Sequence, residues 1–147
     1  MESIYEKLKK FITDYCADYC LYANDAETMH KMNRYWSEDF KAIAYFKRSS
    51  GEYPIVYSNR KDFQEFLINT HKIVKDSLNP IDFIIDEKTK KVVTILKIIK
   101  TNRQTGEKIE IDGMGCYQLV TAENGNFKIT RLDFLWEAPD SIKNLGQ

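Results

Sequence analysis

The apolar period of this chain changes once, and that change limits what the chain can fold into. Between residues 2 and 23, Ile4, Leu8, Phe11, Tyr15, Tyr19 and Tyr22 recur at helical spacing, and Ile12, Cys16 and Cys20 widen the same stripe. From Asn79 onward the period is two. The segments IDFII, KVVTILKIIKTN, IEIDGMGCYQLVTA and FKITRLDFLWE read as four consecutive strands. Helices followed by a run of strands define an α+β class: a curved, mainly antiparallel meander with helices packed on one face. At 147 residues the chain is one domain, with its core over about 4–137 and a loose tail at 138–147.

The intervening elements follow from local signals. Asn24 with Glu27 three residues later reads as a capping box, and Met29, Met32 and Trp36 continue a second helix over 25–36. FKAIAYFK reads as a strand from Phe40 to Lys47, with Ala42 and Ala44 facing something that comes close. IVY is a short strand or an extended lead-in. Ser58 or Asn59 caps a third helix, expected from Arg60 to Ser77, with Phe63, Phe66, Leu67, Thr70, Val74 and Leu78 inward and His71 on the same face. Gly106 and Asn124-Gly125 mark turns that need positive φ. Gly113 and Gly115 suggest a bulge or sharp bend in their strand.

Charge and cysteine usage exclude several classes. The 22 basic and 22 acidic residues balance, so no net field recruits nucleic acid or an anionic membrane. No window approaches a membrane span, and the opening MESIYEKLKKF lacks the apolar run of a signal peptide. Three cysteines, an odd number, point to reduced thiols and a cytoplasmic setting. Cys16 and Cys20 share a helix face, but neither histidine stands at ligand spacing from them, so no metal is expected. Nothing resembles a P-loop, a dinucleotide fingerprint or a nucleophile elbow, so no cofactor is expected either.

Nine tyrosines, each an apolar body with a polar tip, suit an enclosed pocket. Asp82 lies in a stretch apolar on both sides. It either looks into an enclosed volume or caps backbone amides after Pro80. Alternation puts Ile129, Arg131, Asp133 and Leu135 on one face of the last strand and Thr130, Leu132, Phe134 and Trp136 on the other. Asp133 therefore faces solvent beside Arg131 or serves as a carboxylate on the pocket side. His71 is a hydrogen-bonded core group or a proton-transfer group. Trp36, Phe40, Tyr117 and Trp136 are candidate walls of a cavity, and Tyr53 and Tyr57 flank a loop over its mouth. His30 reads as surface.

The element order, with RYWSEDFKAIAYF at the first strand, RKDFQEFL opening the third helix and GNFKITRLDFLWE at the end, resembles the cone-shaped, cystatin-like family around nuclear transport factor two. That family includes SnoaL-like polyketide cyclases, ketosteroid isomerase and scytalone dehydratase. The resemblance implies three helices inside a strongly curved sheet and a small, partly apolar ligand. It also implies a cofactor-free lyase, isomerase or cyclase with a tyrosine on an early helix, for which Tyr15, Tyr19 and Tyr22 are the candidates. Asp82 stands where the dehydratase branch has a histidine, and KAIAYF lacks the carboxylate of the isomerase branch. Two functions follow as expectations. One is proton transfer with Asp82 or Asp133 as base, Tyr19 as donor and His71 as partner, the ligand held by Tyr15, Tyr22, Trp36, Phe40, Tyr57 and Tyr117. The other is a non-catalytic binding domain that forms a homodimer through its sheet.

Overall fold

A computed structural model describes residues 2–45 and 54–136, with the backbone only of Trp136. Tyr53 and the tail at 138–147 lie outside the described residues. Helix α1 (Ile4–Tyr22) is capped by Ser3, whose hydroxyl accepts from the Glu6 amide, and buries Leu8, Ile12, Tyr15, Cys16 and Tyr19. A 3₁₀ turn at Met29–Arg34 leads into β1 (Trp36–Ala44). Then come β2 (Ile55–Tyr57), α2 (Arg60–Thr70), β3 (Val74–Asp86), β4 (Lys91–Asn102), β5 (Lys108–Thr121) and β6 (Phe127–Trp136). The strands form one curved sheet in the order β2-β1-β6-β5-β4-β3. Among the described residues, only β1 and β6 pair in parallel.

The α+β meander holds, and several boundaries move. The expected helix over 25–36 is only the short 3₁₀ turn, and Trp36 opens β1 rather than closing a helix. The expected helix to Ser77 stops at Thr70, with His71 as its C-cap, and Val74 already belongs to β3. Val74 and Leu78 fit both periods. The residue that settles the matter, Asp76, is inward and charged, so the period-two signal was hidden. Gly106, Asn124 and Gly125 take positive φ in their turns.

Gly113 and Gly115 do not bend β5, whose pairing with β4 runs unbroken across both. They make room instead. A Cβ on Gly113 would sit 2.5 Å from Ile98 Cδ1, and one on Gly115 would sit 2.8 Å from the Tyr117 hydroxyl. The extra residue lies in β6, where Gln118–Leu119 of β5 face Arg131 and Ile129 and skip Thr130. This bulge flips the side-chain phase. Ile129 is fully buried together with Leu132 and Phe134, while Arg131 and Asp133 stay on the outer face.

Strand β3 is an edge, and side chains block it against further pairing. The Asn24 carboxamide, expected to cap a helix, instead accepts from the Asp76 amide and donates to the Asp76 carbonyl, both at 2.8 Å. The Leu78 amide donates to Cys20 Sγ at 3.3 Å. Pro80 brings no N–H, and after a register shift the Phe83 amide bonds to the carboxylate of Asp82 at 2.8 Å. Asn24→Ala strands two buried backbone groups, so it should cost about 1–3 kcal/mol in urea unfolding and promote concentration-dependent association by light scattering. An unchanged midpoint would show that the Asn24–Asp76 pairing does not hold α1 to the sheet.

Candidate active site

Inside the fold, one face of α1 looks onto the concave side of the sheet through aromatic rings. Tyr15 meets Tyr35, Trp36 and Tyr117 edge-on, at centroid distances of 5.4, 6.1 and 5.6 Å. Trp36 and Phe40 pack on Phe63 of α2, each at 5.3 Å. Tyr15, Trp36, Phe40 and Tyr117 are almost wholly buried and come together as expected of a wall. Tyr57 lies at one end of this group, stacked on Phe66 at 4.6 Å. Tyr22 does not join it. It rests against the 3₁₀ turn with the Lys31 ammonium over its ring.

Buried charge sits at the other end of the wall. His71 is 2% exposed. Its Nδ1 lies 2.6 Å from the Ala23 carbonyl, which can only accept, so Nδ1 carries a proton. Its Nε2 lies 3.2 Å from Asp76 Oδ2 and 3.4 Å from the Tyr19 hydroxyl. Lys100 Nζ reaches the second oxygen of Asp76 at 2.9 Å. Burial alone would raise the Asp76 carboxyl. The Lys100 ammonium, with help from His71, more than offsets this and holds it at about 2. Nδ1 therefore faces a pure acceptor, and Nε2 lies between the Asp76 carboxylate and the Tyr19 hydroxyl. The ring sits at the C-terminal end of α1, on the carbonyl of its C-cap Ala23. Arg103 clamps the same place, donating from Nε to the His71 carbonyl and from Nη2 to the Asn24 carbonyl, both at 2.5 Å.

Tyr19 joins the two regions. Burial, and after it the Asp76 charge, push its phenol far up, so it stays protonated and acts as a donor. The direction of its O–H depends on His71. A neutral ring with its proton on Nδ1 would draw the Tyr19 proton toward Nε2. A doubly protonated ring would give its Nε2 proton to Asp76 and leave the Tyr19 O–H to point into the interior.

The two carboxylates singled out from the sequence lie elsewhere. Asp82 is exposed and caps the Phe83 amide at the β3 register shift, because that shift turns it away from the enclosed side. Asp133 is on the outer face, bound to Arg131 at 2.7 Å and to the Tyr45 hydroxyl at 3.2 Å. Neither reaches the interior, so the base role expected of them is not carried forward. Sequence reading named Tyr19 and His71 but missed Asp76, Lys100, Asn24 and Arg103. Asp76 was assigned to a helix, and Lys100 reads as one of many lysines near a strand end. Asp76 and Lys100 are opposite partners in the β3–β4 register, and that pairing was the one signal available.

A six-stranded, mainly antiparallel sheet curved around α1 and α2 makes an α+β cone. No family model and no curated protein matches the chain. Solved structures do. The BvnE pinacolase from Penicillium brevicompactum matches at a TM-score of 0.66 and 18% identity, over 96% of this chain and 91% of its own. SalBIII, an epoxide hydrolase/cyclase-like enzyme in pyran ring formation of salinomycin, matches at 0.66 and 16%, over 90% and 92%. A ketosteroid isomerase-like protein from Erwinia carotovora atroseptica matches at 0.64 and 11%, over 91% and 96%. At these identities the likeness is one of fold.

Proposed function

We propose that this chain takes a small, partly apolar molecule against the aromatic wall and moves protons on it without a cofactor, as a lyase, isomerase or cyclase. The observation that carries the reading is His71, buried between the Asp76 carboxylate and the Tyr19 hydroxyl. Tyr19 is the catalytic donor: its O–H polarises or protonates an oxygen of the ligand as negative charge develops there. As that proton leaves, the Nε2 proton of His71 passes to the Tyr19 oxygen and the ring becomes neutral. In the return step the ligand oxygen gives its proton back to Tyr19 and Nε2 takes the Tyr19 proton again, while Asp76 and Lys100 are positioning residues that hold the ring for it. The names of fold relatives, among them a pinacolase and a cyclase-like enzyme, support chemistry at ligand oxygen atoms. The setting is cytoplasmic on this reading, consistent with three free thiols.

Deuterium exchange next to the carbonyl of a panel of aryl ketones, in which water takes the carbon-bound proton once Tyr19 polarises the carbonyl, tests the reading without knowledge of the natural substrate. Tyr19→Phe keeps the ring and should lower exchange about 10²–10³-fold, the loss typical of one preorganised donor. Equal exchange by a folded Tyr19→Phe protein would end the proposal.

The second reading, a binding domain that dimerises through its sheet, is favoured by a different observation. The outer sheet face exposes Val56, Ile84, Met114 and Leu135, which is what a self-complementary contact would bury. A monomer by sedimentation at high concentration would remove it. No helix among the described residues is long and apolar enough to cross a membrane.

A further inference from the structure

Two fully buried polar atoms have no hydrogen-bond partner among the described residues: Trp36 Nε1 and Thr94 Oγ1. Leaving a polar group dry and unpaired is costly, and Val at 94 would fill the place of the hydroxyl without that cost. Both atoms belong to the aromatic wall. The Trp36 indole N–H approaches the Tyr15 hydroxyl without bonding geometry. Thr94 stands opposite Gly115 in the β4–β5 register, and the Tyr117 hydroxyl, which lies over that glycine, approaches Thr94 without bonding geometry. Trp36, Tyr15, Tyr117 and Thr94 therefore form a series of polar tips on apolar bodies, joined by the ring contacts of Tyr15 with Trp36 and Tyr117.

We propose that Trp36 and Thr94 are the recognition residues of this interior, and that they select an uncharged, largely apolar molecule bearing hydrogen-bond-accepting oxygen. The indole N–H can only donate, so its partner must accept. Tyr15 and Tyr117 are buried phenols whose acidity burial suppresses, so they remain neutral hydroxyls. Asp76, Lys100 and His71 are bound to one another beyond Tyr19, so no charge in this series matches a charged ligand. The inference rests on the ligand-binding reading above and adds the residues that choose the ligand.

The test uses a matched pair of probes, 1-acetylnaphthalene and 1-isopropenylnaphthalene, which share shape but differ in the accepting oxygen. The chain has two tryptophans, so the indole N–H region of a ¹H–¹⁵N spectrum reads Trp36 directly. The ketone should move the Trp36 indole proton downfield, and the hydrocarbon should not. Trp36→Phe should weaken the ketone about tenfold or more relative to the hydrocarbon, as expected when a buried donor is lost. Without any ligand, Thr94→Val should raise Tm by about 2–4 °C, because it removes an unsatisfied hydroxyl at constant shape. A lower Tm for Thr94→Val would mean the hydroxyl is satisfied within the protein, and it overturns the proposal. Equal binding of both probes to wild type overturns recognition by Trp36 and Thr94 while the Tyr19 reading stands. Failure of wild type to take up either probe at millimolar concentration counts against the interior as a ligand site and overturns both.

Discussion

Replacing Asp76 by Asn should destabilise the protein by about 3–5 kcal/mol in chemical unfolding, the cost of removing one partner from a buried ion pair. The carboxylate stands between Lys100 Nζ at 2.9 Å and His71 Nε2 at 3.2 Å, and all three residues are buried. An amide keeps the shape but leaves positive charge in the interior without its counter-ion. Acid adds a second readout. The Asp76 carboxyl falls from an ordinary 3.8 to about 2 in the folded chain. Its contribution to stability is therefore complete above the unfolded value and disappears as pH drops from about 4 toward 2. Wild type should lose stability steeply across that window, and Asp76→Asn should lack that component. Matching acid profiles for the two proteins would show that Asp76 is not held ionised by these neighbours.

Phe63→Ala is expected to cost a similar 3–5 kcal/mol, for a different reason. Phe63 is 2% exposed and touches five rings, with Trp36 and Phe40 each 5.3 Å away and Tyr57, Phe134 and Phe66 at 5.8, 6.0 and 6.2 Å. Truncation leaves a void between α2 and β1 that rings around it can fill only by leaving their edge-on contacts. The Trp36 indole, held nearly perpendicular to Phe63 at 83°, should lose its fixed environment, visible as a weaker near-ultraviolet dichroic signal. Phe63→Leu should cost less because most of the volume stays. A loss under about 1 kcal/mol for Phe63→Ala would mean that the site collapses freely and that Phe63 does not hold the aromatic wall in place.

The two substitutions probe parts of the molecule that were unequally visible in the sequence. The rings around Phe63 belong to apolar residues at helical or strand period, so their burial could be expected from spacing alone. The charged end could not. His71 was placed on an inward helical face, yet its role depends on α2 ending one residue earlier and on β3 delivering Asp76. Asp76 and Lys100 are inward residues of neighbouring strands, and each breaks the apolar alternation that would have revealed its strand. Asn24 shows the same limit. Followed by Glu27 it satisfies the rule for a helix start, but the backbone it caps lies 52 residues away in β3.

Asp82 and Asp133 failed to reach the interior for a related reason. Their orientation is set by register shifts at Pro80/Asp82 and at Gln118/Leu119. A shift of one residue reverses which side chains face the core, and no local signal announces where the extra residue falls. Gly113 and Gly115 looked like such markers and are not. They answer to Ile98 and Tyr117, side chains that need the space.

The sequence by itself determined the class of fold, its strand-rich second half, the positive-φ turns and the aromatic wall. Each of these is written in periodicity or in a residue's own conformational freedom, and both act over a few neighbours. Only the tertiary structure decided which acid is buried, which cation neutralises it and which polar atoms stay unpaired. Those outcomes depend on pairing between distant strands, where one inserted residue changes the partner of every side chain that follows.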